Sequence, residues 1–115
     1  MNKITVVDFD GTISQFSYPE MGDPLPGVKE ALQEIKEMGH EIHILSCRTN
    51  PELFKHPIDR QEQVRKIEDY LKKHNIPYDV VLNEYKPLAH VYIDDRAIGF
   101  RGDWKKTLEE FKEME

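Results

Sequence analysis

Apolar positions along the chain change period several times, and each change marks an element. Ile4-Thr5-Val6-Val7 is a short β-branched run followed closely by Gly11, which predicts a buried strand that stops there. Residues 13–26 carry no period; Pro19, Gly22, Pro24 and Pro26 interrupt them and Gly27 follows. Val28, Ala31, Leu32, Ile35 and Met38 then recur at helical spacing, with Gly39 placed as the C-terminal cap. Glu41 to Ser46 predicts a second strand, and residues 50–59, with Pro51 and Pro57, a polar loop. Residues 60–74 predict a second helix with Val64, Ile67, Tyr70 and Leu71 on its inner face, ended by Asn75-Ile76-Pro77. Tyr78 to Leu82 predicts a third strand and His90 to Ile93 a fourth, running into Asp94-Asp95. Residues 99–103 form a turn, and Asp103 is placed as the N-cap of a last helix carrying Trp104, Leu108 and Phe111.

Strands alternating with helices predict an α/β fold in which helices pack on the faces of a mainly parallel sheet. Right-handed crossovers bring the carboxyl ends of such strands to one edge. Three of the four predicted strands end there in polar or acidic residues, at Asp8, at Ser46 and at Asp94-Asp95. The chain has 115 residues and neither an internal repeat nor a dividing linker, so residues 1–115 are expected to form one domain.

Composition narrows the setting. Hydrophobic residues at 38% and charged residues at 33% suit a soluble globular domain, and no apolar run approaches the ~20 residues of a membrane span. Met1-Asn2-Lys3 leads directly into the first strand, leaving no room for a signal peptide. The single cysteine, Cys47, rules out an internal disulfide framework and fits a reducing compartment, so a cytoplasmic protein without a membrane partner is expected. Net charge is −6, and Lys and Glu interleave at Lys29-Glu30, Lys36-Glu37 and Lys112-Glu113 as on solvated helix faces. That balance argues mildly against a nucleic acid partner, which needs a basic stripe.

The candidate chemistry lies at the strand ends. Asp8 and Asp10 stand two residues apart where the first strand finishes, and strand alternation predicts that both point to one side. Ligands bind at that edge of open α/β sheets. Two carboxylates so close are costly unless a cation, a shared proton or a reaction requires them. Asp-Gly alone would read as an acidic turn.

The string Asp8-Phe9-Asp10-Gly11-Thr12 behind an apolar strand, Ser46 at the end of the second strand, Lys86 ahead of the fourth, and Asp94-Asp95 at its end together resemble the haloacid dehalogenase superfamily. The resemblance spans essentially the whole chain, from Ile4 through the final helix. It implies a Rossmann-like three-layer α/β/α fold, and residues 13–26 and 49–59 are too short to form the cap domain of larger relatives. It also implies a Mg²⁺-dependent phosphohydrolase. Asp8 would be the nucleophile, carrying an aspartyl-phosphate intermediate that splits one difficult hydrolysis into two easier steps. Asp10 would protonate the leaving oxygen and then activate water. Ser46 would hydrogen-bond a phosphoryl oxygen, and Lys86 would offset its charge. Mg²⁺ would be held by Asp8, the backbone carbonyl of Asp10, and Asp94 and Asp95. Dehalogenating members generally lack the second Asp, so Asp10 favours phosphate chemistry.

Gly11, Thr12, Cys47 and Arg48 complete the substrate-binding set. Cys47, with no base beside it in sequence, is expected as a small buried residue rather than a nucleophile. Arg48 either reaches a second anionic group of the substrate or pairs with a local acid. Each assignment has a plainer counterpart: Ser46 as a polar strand terminus, Lys86 as a solvated loop charge, Asp94-Asp95 as a cap or turn beside Arg96. Phe16 and Tyr18 either line the mouth of the site or cover the core edge. His40, His43, His56, His74 and His90 show no metal-ligand spacing. The leading expectation is a phosphomonoesterase for a small phosphorylated metabolite such as a nucleotide or sugar phosphate, with an open site that a second copy of the chain could cover in a homo-oligomer. The alternatives are a phosphatase for nucleic acid ends or a protein phosphosite, and a non-catalytic phosphate- or partner-binding module.

Overall fold

The computed structural model describes residues 3–50, 56–82 and 89–114. The β-branched run forms β1 (Lys3–Asp8), followed by α1 (Val28–Glu37), β2 (His40–Leu45), a 3-10 turn at Cys47–Thr49, α2 (Pro57–Lys73), β3 (Val80–Val81), β4 (Val91–Ile93) and α3 (Trp104–Met114). Among the described residues the sheet has four strands in the order β3-β2-β1-β4, and every pairing is parallel. This is the parallel α/β arrangement that the alternation predicts, and it is consistent with a Rossmann-like three-layer plan. No helix among the described residues is long and apolar enough to cross a membrane.

Register fixes the core. Thr5 lies opposite Ile42, Val7 opposite both Ile44 and Ile93, and Ile44 opposite Val81, so these side chains share one face of the sheet. The inner residues of that face join Leu32 of α1 and Ile67, Tyr70 and Leu71 of α2 in one buried cluster. Phe9 completes it, its ring meeting that of Tyr70 edge-on at 5.2 Å and 84°. Ile42, Ile44, Ile67 and Leu71 are fully buried, each worth about 1.5–3 kcal/mol relative to exposure.

Several boundaries differ from the sequence reading, each for a local reason. α1 ends at Glu37, and Met38 is exposed rather than inward, because Gly39 at φ +94° takes the left-handed cap and donates to the Lys36 carbonyl at 2.9 Å. α2 starts at Pro57, ahead of its apolar stripe: His56 Nδ1 accepts from the Ile58 N–H at 3.2 Å, and proline suits the first turn. β3 is only two residues long. Asp79 secures its entry, accepting from Lys36 Nζ at 2.7 and 2.8 Å and from the Ile42 N–H at 2.7 Å. Burial alone would raise its pKa, but these donors hold its carboxyl below the usual range.

α3 departs furthest. Asp103 caps it as expected, its Oδ1 accepting from the Lys106 N–H at 3.2 Å. Yet Trp104 is 74% exposed, and Leu108, Phe111 and Met114 are also exposed. β4 is a three-residue edge strand whose Val91, Tyr92 and Ile93 are likewise exposed, so the helix and this sheet edge leave each other's apolar side chains uncovered. The parallel register delivers the ends of β1, β2 and β4 to one edge, where the site is built.

Candidate metal centre and acid site

β1 stops at Asp8, although the Phe9 N–H still donates to the Leu45 carbonyl at 3.1 Å. The chain then folds tightly back on itself. The N–H groups of Thr12, Ile13 and Ser14 all converge on the Phe9 carbonyl at 3.3, 2.9 and 3.2 Å, and the Gly11 N–H reaches the Ser14 carbonyl at 2.8 Å. Gly11 sits at φ +86°, a conformation glycine adopts without penalty. A Cβ there would also overlap the Asp95 carboxylate. The glycine therefore makes the turn and makes room for an acid from β4's end.

Asp8, Asp94 and Asp95 each offer an oxygen, and these oxygens all lie within 4.8 Å of one another. Thr12 Oγ1 donates to Asp8 Oδ2 at 3.2 Å. Asp94 Oδ1 accepts from the Arg96 N–H at 2.8 Å, so the turn reading of this residue holds alongside its place in the cluster. The Asp8 pKa is raised to about 7, chiefly by burial, then by its hydrogen bond with Asp95 and the charges of Asp94 and Asp95, with Thr12 opposing. Three carboxylates so close repel one another, and a cation among them would relieve that repulsion. Hard oxygen donors suit Mg²⁺, and Asp8, Asp94 and Asp95 would hold it.

Asp10 does not join this cluster. Strand alternation would have placed it beside Asp8, but the strand has already ended and the turn redirects its side chain. Arg48 grips it with a bidentate fork, Nε to Oδ2 at 2.9 Å and Nη2 to Oδ1 at 2.8 Å, with both side chains only 4% exposed. Of the two expectations for Arg48, pairing with a local acid is the one observed, and the acid is Asp10. The same guanidinium donates from Nη1 to the Pro19 carbonyl and from Nη2 to the Glu20 carbonyl, both at 2.6 Å, and lies 4.9 Å from the Tyr18 ring centroid. Arg48 thus pins residues 18–20 of the irregular segment over Asp10.

Ser46 is buried at the end of β2, and its Oγ accepts from the Arg48 N–H at 3.0 Å, capping the 3-10 turn. It acts here as a polar strand terminus, with a hydroxyl proton still able to donate. Cys47 is exposed, correcting the expectation of a buried residue: it starts a 3-10 turn whose buried side chains are those of Arg48 and Thr49. Partial desolvation of its thiol by the neighbouring chain, then the Asp10 charge, outweigh Arg48 and push its pKa up, which disfavours a thiolate nucleophile. Lys86 lies outside the described residues. Phe16 and Tyr18 both stand at the mouth, Phe16 with its ring centroid 5.1 Å from the Arg96 guanidinium.

Two contributions were missed from sequence. Tyr70, expected only in the core, donates its phenol to the Gly22 carbonyl at 2.7 Å and ties the irregular segment to α2. Burial, with Asp23 and Asp10 adding to it, raises that phenol to about 12, so it remains a donor. The signal was available, since a buried tyrosine needs a partner for its hydroxyl. Thr49 Oγ1 meets the Leu82 and Ser46 carbonyls at 2.8 and 3.1 Å, and no sequence pattern announces that.

Fold and site together define a parallel α/β domain whose carboxyl edge gathers three carboxylates around one potential cation position. Comparison with protein-family models and with curated proteins finds no match. Among solved structures, a conserved protein from Bacteroides thetaiotaomicron is similar, with a TM-score of 0.63 and 24% identity over 100% of this chain and 93% of that one. The likeness establishes the fold.

Proposed function

We propose that this chain is a Mg²⁺-dependent phosphohydrolase acting on small phosphorylated metabolites, with Asp8 as the nucleophile. The observation that carries the reading is the convergence of Asp8 with Asp94 and Asp95, residues from opposite ends of the chain, to within 4.8 Å at the sheet's carboxyl edge. Asp8, Asp94 and Asp95 would hold the metal, which would offset the repulsion between a carboxylate and a phosphate dianion. An Asp8 oxygen forms a bond to phosphorus as the ester oxygen departs with its bonding pair and takes a proton from Asp10. Water then attacks the acyl phosphate, restoring Asp8 and releasing phosphate while Asp10 accepts the proton. Ser46 donates to a phosphoryl oxygen. To deliver its proton, Asp10 has to leave the Arg48 fork.

The fork also supports a second reading, a phosphate-binding module without turnover, because it occupies both Asp10 oxygens. One experiment decides between them: a panel of phosphorylated metabolites assayed for phosphate release with Mg²⁺ and with EDTA. The phosphohydrolase reading expects Mg²⁺-dependent release that falls by several orders of magnitude in Asp8→Asn. Near-normal hydrolysis by that variant removes Asp8 as nucleophile. Absence of turnover across the panel, with phosphate esters still bound, favours the binding module.

A further inference from the structure

Two apolar surfaces of this chain are uncovered at the same time. One is the stripe of α3: Trp104, Leu108 and Phe111 recur at i, i+4 and i+7 and are exposed, and the Phe100 ring lies against that of Trp104 with centroids 4.8 Å apart. The other is a groove of about 280 Å³ between α1 and the end of β4, walled by Leu25, Val28, Ala31, Ile35 and Ile93. Among the described residues no charged side chain lines it, and Thr12 is its one polar residue. None of the α3 side chains lines it either, so the chain's own helix stands clear of a surface that matches it in chemistry.

Area decides the occupant. Trp104, Leu108 and Phe111 together leave roughly 400 Å² of apolar surface exposed, and seating them covers a similar area of the facing wall. One such seat totals roughly 800 Å², the level of a weak contact, whereas two reciprocal seats total roughly 1,600 Å², the size of a stable complex. A second copy supplies both seats at once, since each copy offers one stripe and one groove and a twofold axis closes the pair. An unrelated partner in the groove would leave the stripe bare. Residues 94–103 join β4 to α3 and extend to at most about 36 Å, a length that lets the helix cross to a neighbouring copy. Copies carrying −6 each repel, but α3 sets Lys105, Lys106 and Lys112 against Glu109, Glu110 and Glu113, so the exchanged helix brings its partner no net charge.

We propose that two copies of this chain exchange α3, the stripe of each seating in the α1–β4 groove of the other. The exchange stands on the uncovered surfaces alone and does not depend on the phosphohydrolase reading.

Sedimentation velocity and tryptophan emission test the exchange together, on wild-type protein from about 0.1 to about 100 µM. At the dilute end the chain is a monomer, and Trp104, the sole tryptophan, emits as in water. As the dimer forms, the emission is expected to move to the blue and iodide quenching to fall, at the same concentration midpoint as the change in mass. Two variants attack the seat from opposite sides, Leu108→Glu in the stripe and Ala31→Glu in the groove. Both positions are exposed, and an unchanged melting temperature in dilute protein verifies the fold of each variant. Each is expected to weaken dimerisation roughly a hundredfold, because it buries a carboxylate against an uncharged wall. A wild type that stays monomeric across the range overturns the inference. So does a blue-shifted emission that ignores concentration, which would put α3 in its own groove. A dimer that Leu108→Glu breaks and Ala31→Glu leaves intact would show α3 resting on another surface of the partner, and equally overturns the exchange. None of these results bears on phosphate release, so the phosphohydrolase reading is judged separately.

Discussion

Arg48 and Asp10 form the interaction on which the site's architecture can be tested most directly. Both side chains are 4% exposed, and their two short bonds are joined by two more from Arg48 to the Pro19 and Glu20 carbonyls. Replacing Arg48 with Met leaves the Asp10 carboxylate buried without its counter-charge and removes the donor for two backbone oxygens. Breaking a buried pair from one side costs about 3–5 kcal/mol, a large part of the roughly 5–15 kcal/mol that holds a domain together. Asp10→Asn keeps one acceptor oxygen but strands the Arg48 charge, so about 2–4 kcal/mol is expected. The double variant D10N/R48M removes both charges together, and its cost should fall short of the sum of the single costs by about 2 kcal/mol. Urea denaturation followed by circular dichroism measures all four corners of this cycle. Single variants within about 1 kcal/mol of wild type, or strictly additive costs, would refute the argument that the fork organises this region. The cycle also guards the functional reading, because inactivity of Asp10→Asn counts in favour of its acid role only after its folding loss has been subtracted.

Three further outcomes follow from the same geometry. Asp8 is raised to about 7, so in metal-free protein its contribution favours folding below about pH 4 and is lost as pH climbs through 7. The nominal effect is about 4 kcal/mol, cut to about 2 for a half-buried group. Mg²⁺ needs the ionised form, so the rise in melting temperature on adding Mg²⁺ should be larger at pH 8 than at pH 6 and should shrink in Asp94→Asn; equal rises at both pH values would contradict the cluster. Gly11→Ala should cost about 2 kcal/mol, combining a left-handed φ with overlap on Asp95, and should weaken the Mg²⁺ response. A denaturation midpoint matching the wild type would show that the turn has other room. Trp104, the sole tryptophan and 74% exposed, should emit near the wavelength of tryptophan in water and be freely quenched by iodide. A strongly blue-shifted, protected emission would show α3 seated against apolar surface.

The parts of the fold set by short-range chemistry were legible in the chain. The β-branched run at Ile4 to Val7, the stripe at Ile67, Tyr70 and Leu71, and the stops at Gly39 and Asn75 all lie where periodicity and left-handed preference put them. The start of α2 was not, because its cap is a histidine, outside the usual Ser, Thr, Asp and Asn signals. α3 shows a different limit. An amphipathic period reveals which side of a helix is apolar, yet says nothing about the surface that would cover it, and Trp104, Leu108 and Phe111 stay exposed.

At the site, the sequence treats Asp8 and Asp10 as near equals, and the structure separates them. The separation arises from where β1 ends. Asp8, on the last strand residue, keeps the strand's direction and meets Asp94 and Asp95. Asp10, two residues into a turn closed on the Phe9 carbonyl, swings to Arg48. One acid thus sits half-buried among carboxylates and is driven toward protonation, while its neighbour is paired with a buried guanidinium. No local pattern could assign these fates, because each partner comes from a distant strand end: Asp94-Asp95 from β4, Arg48 from the turn after β2. Gly11 links the two environments. Its left-handed φ lets the chain turn directly after Asp10, and its missing side chain lets Asp95 approach, so a carboxylate from β4's end reaches the acid cluster across the turn.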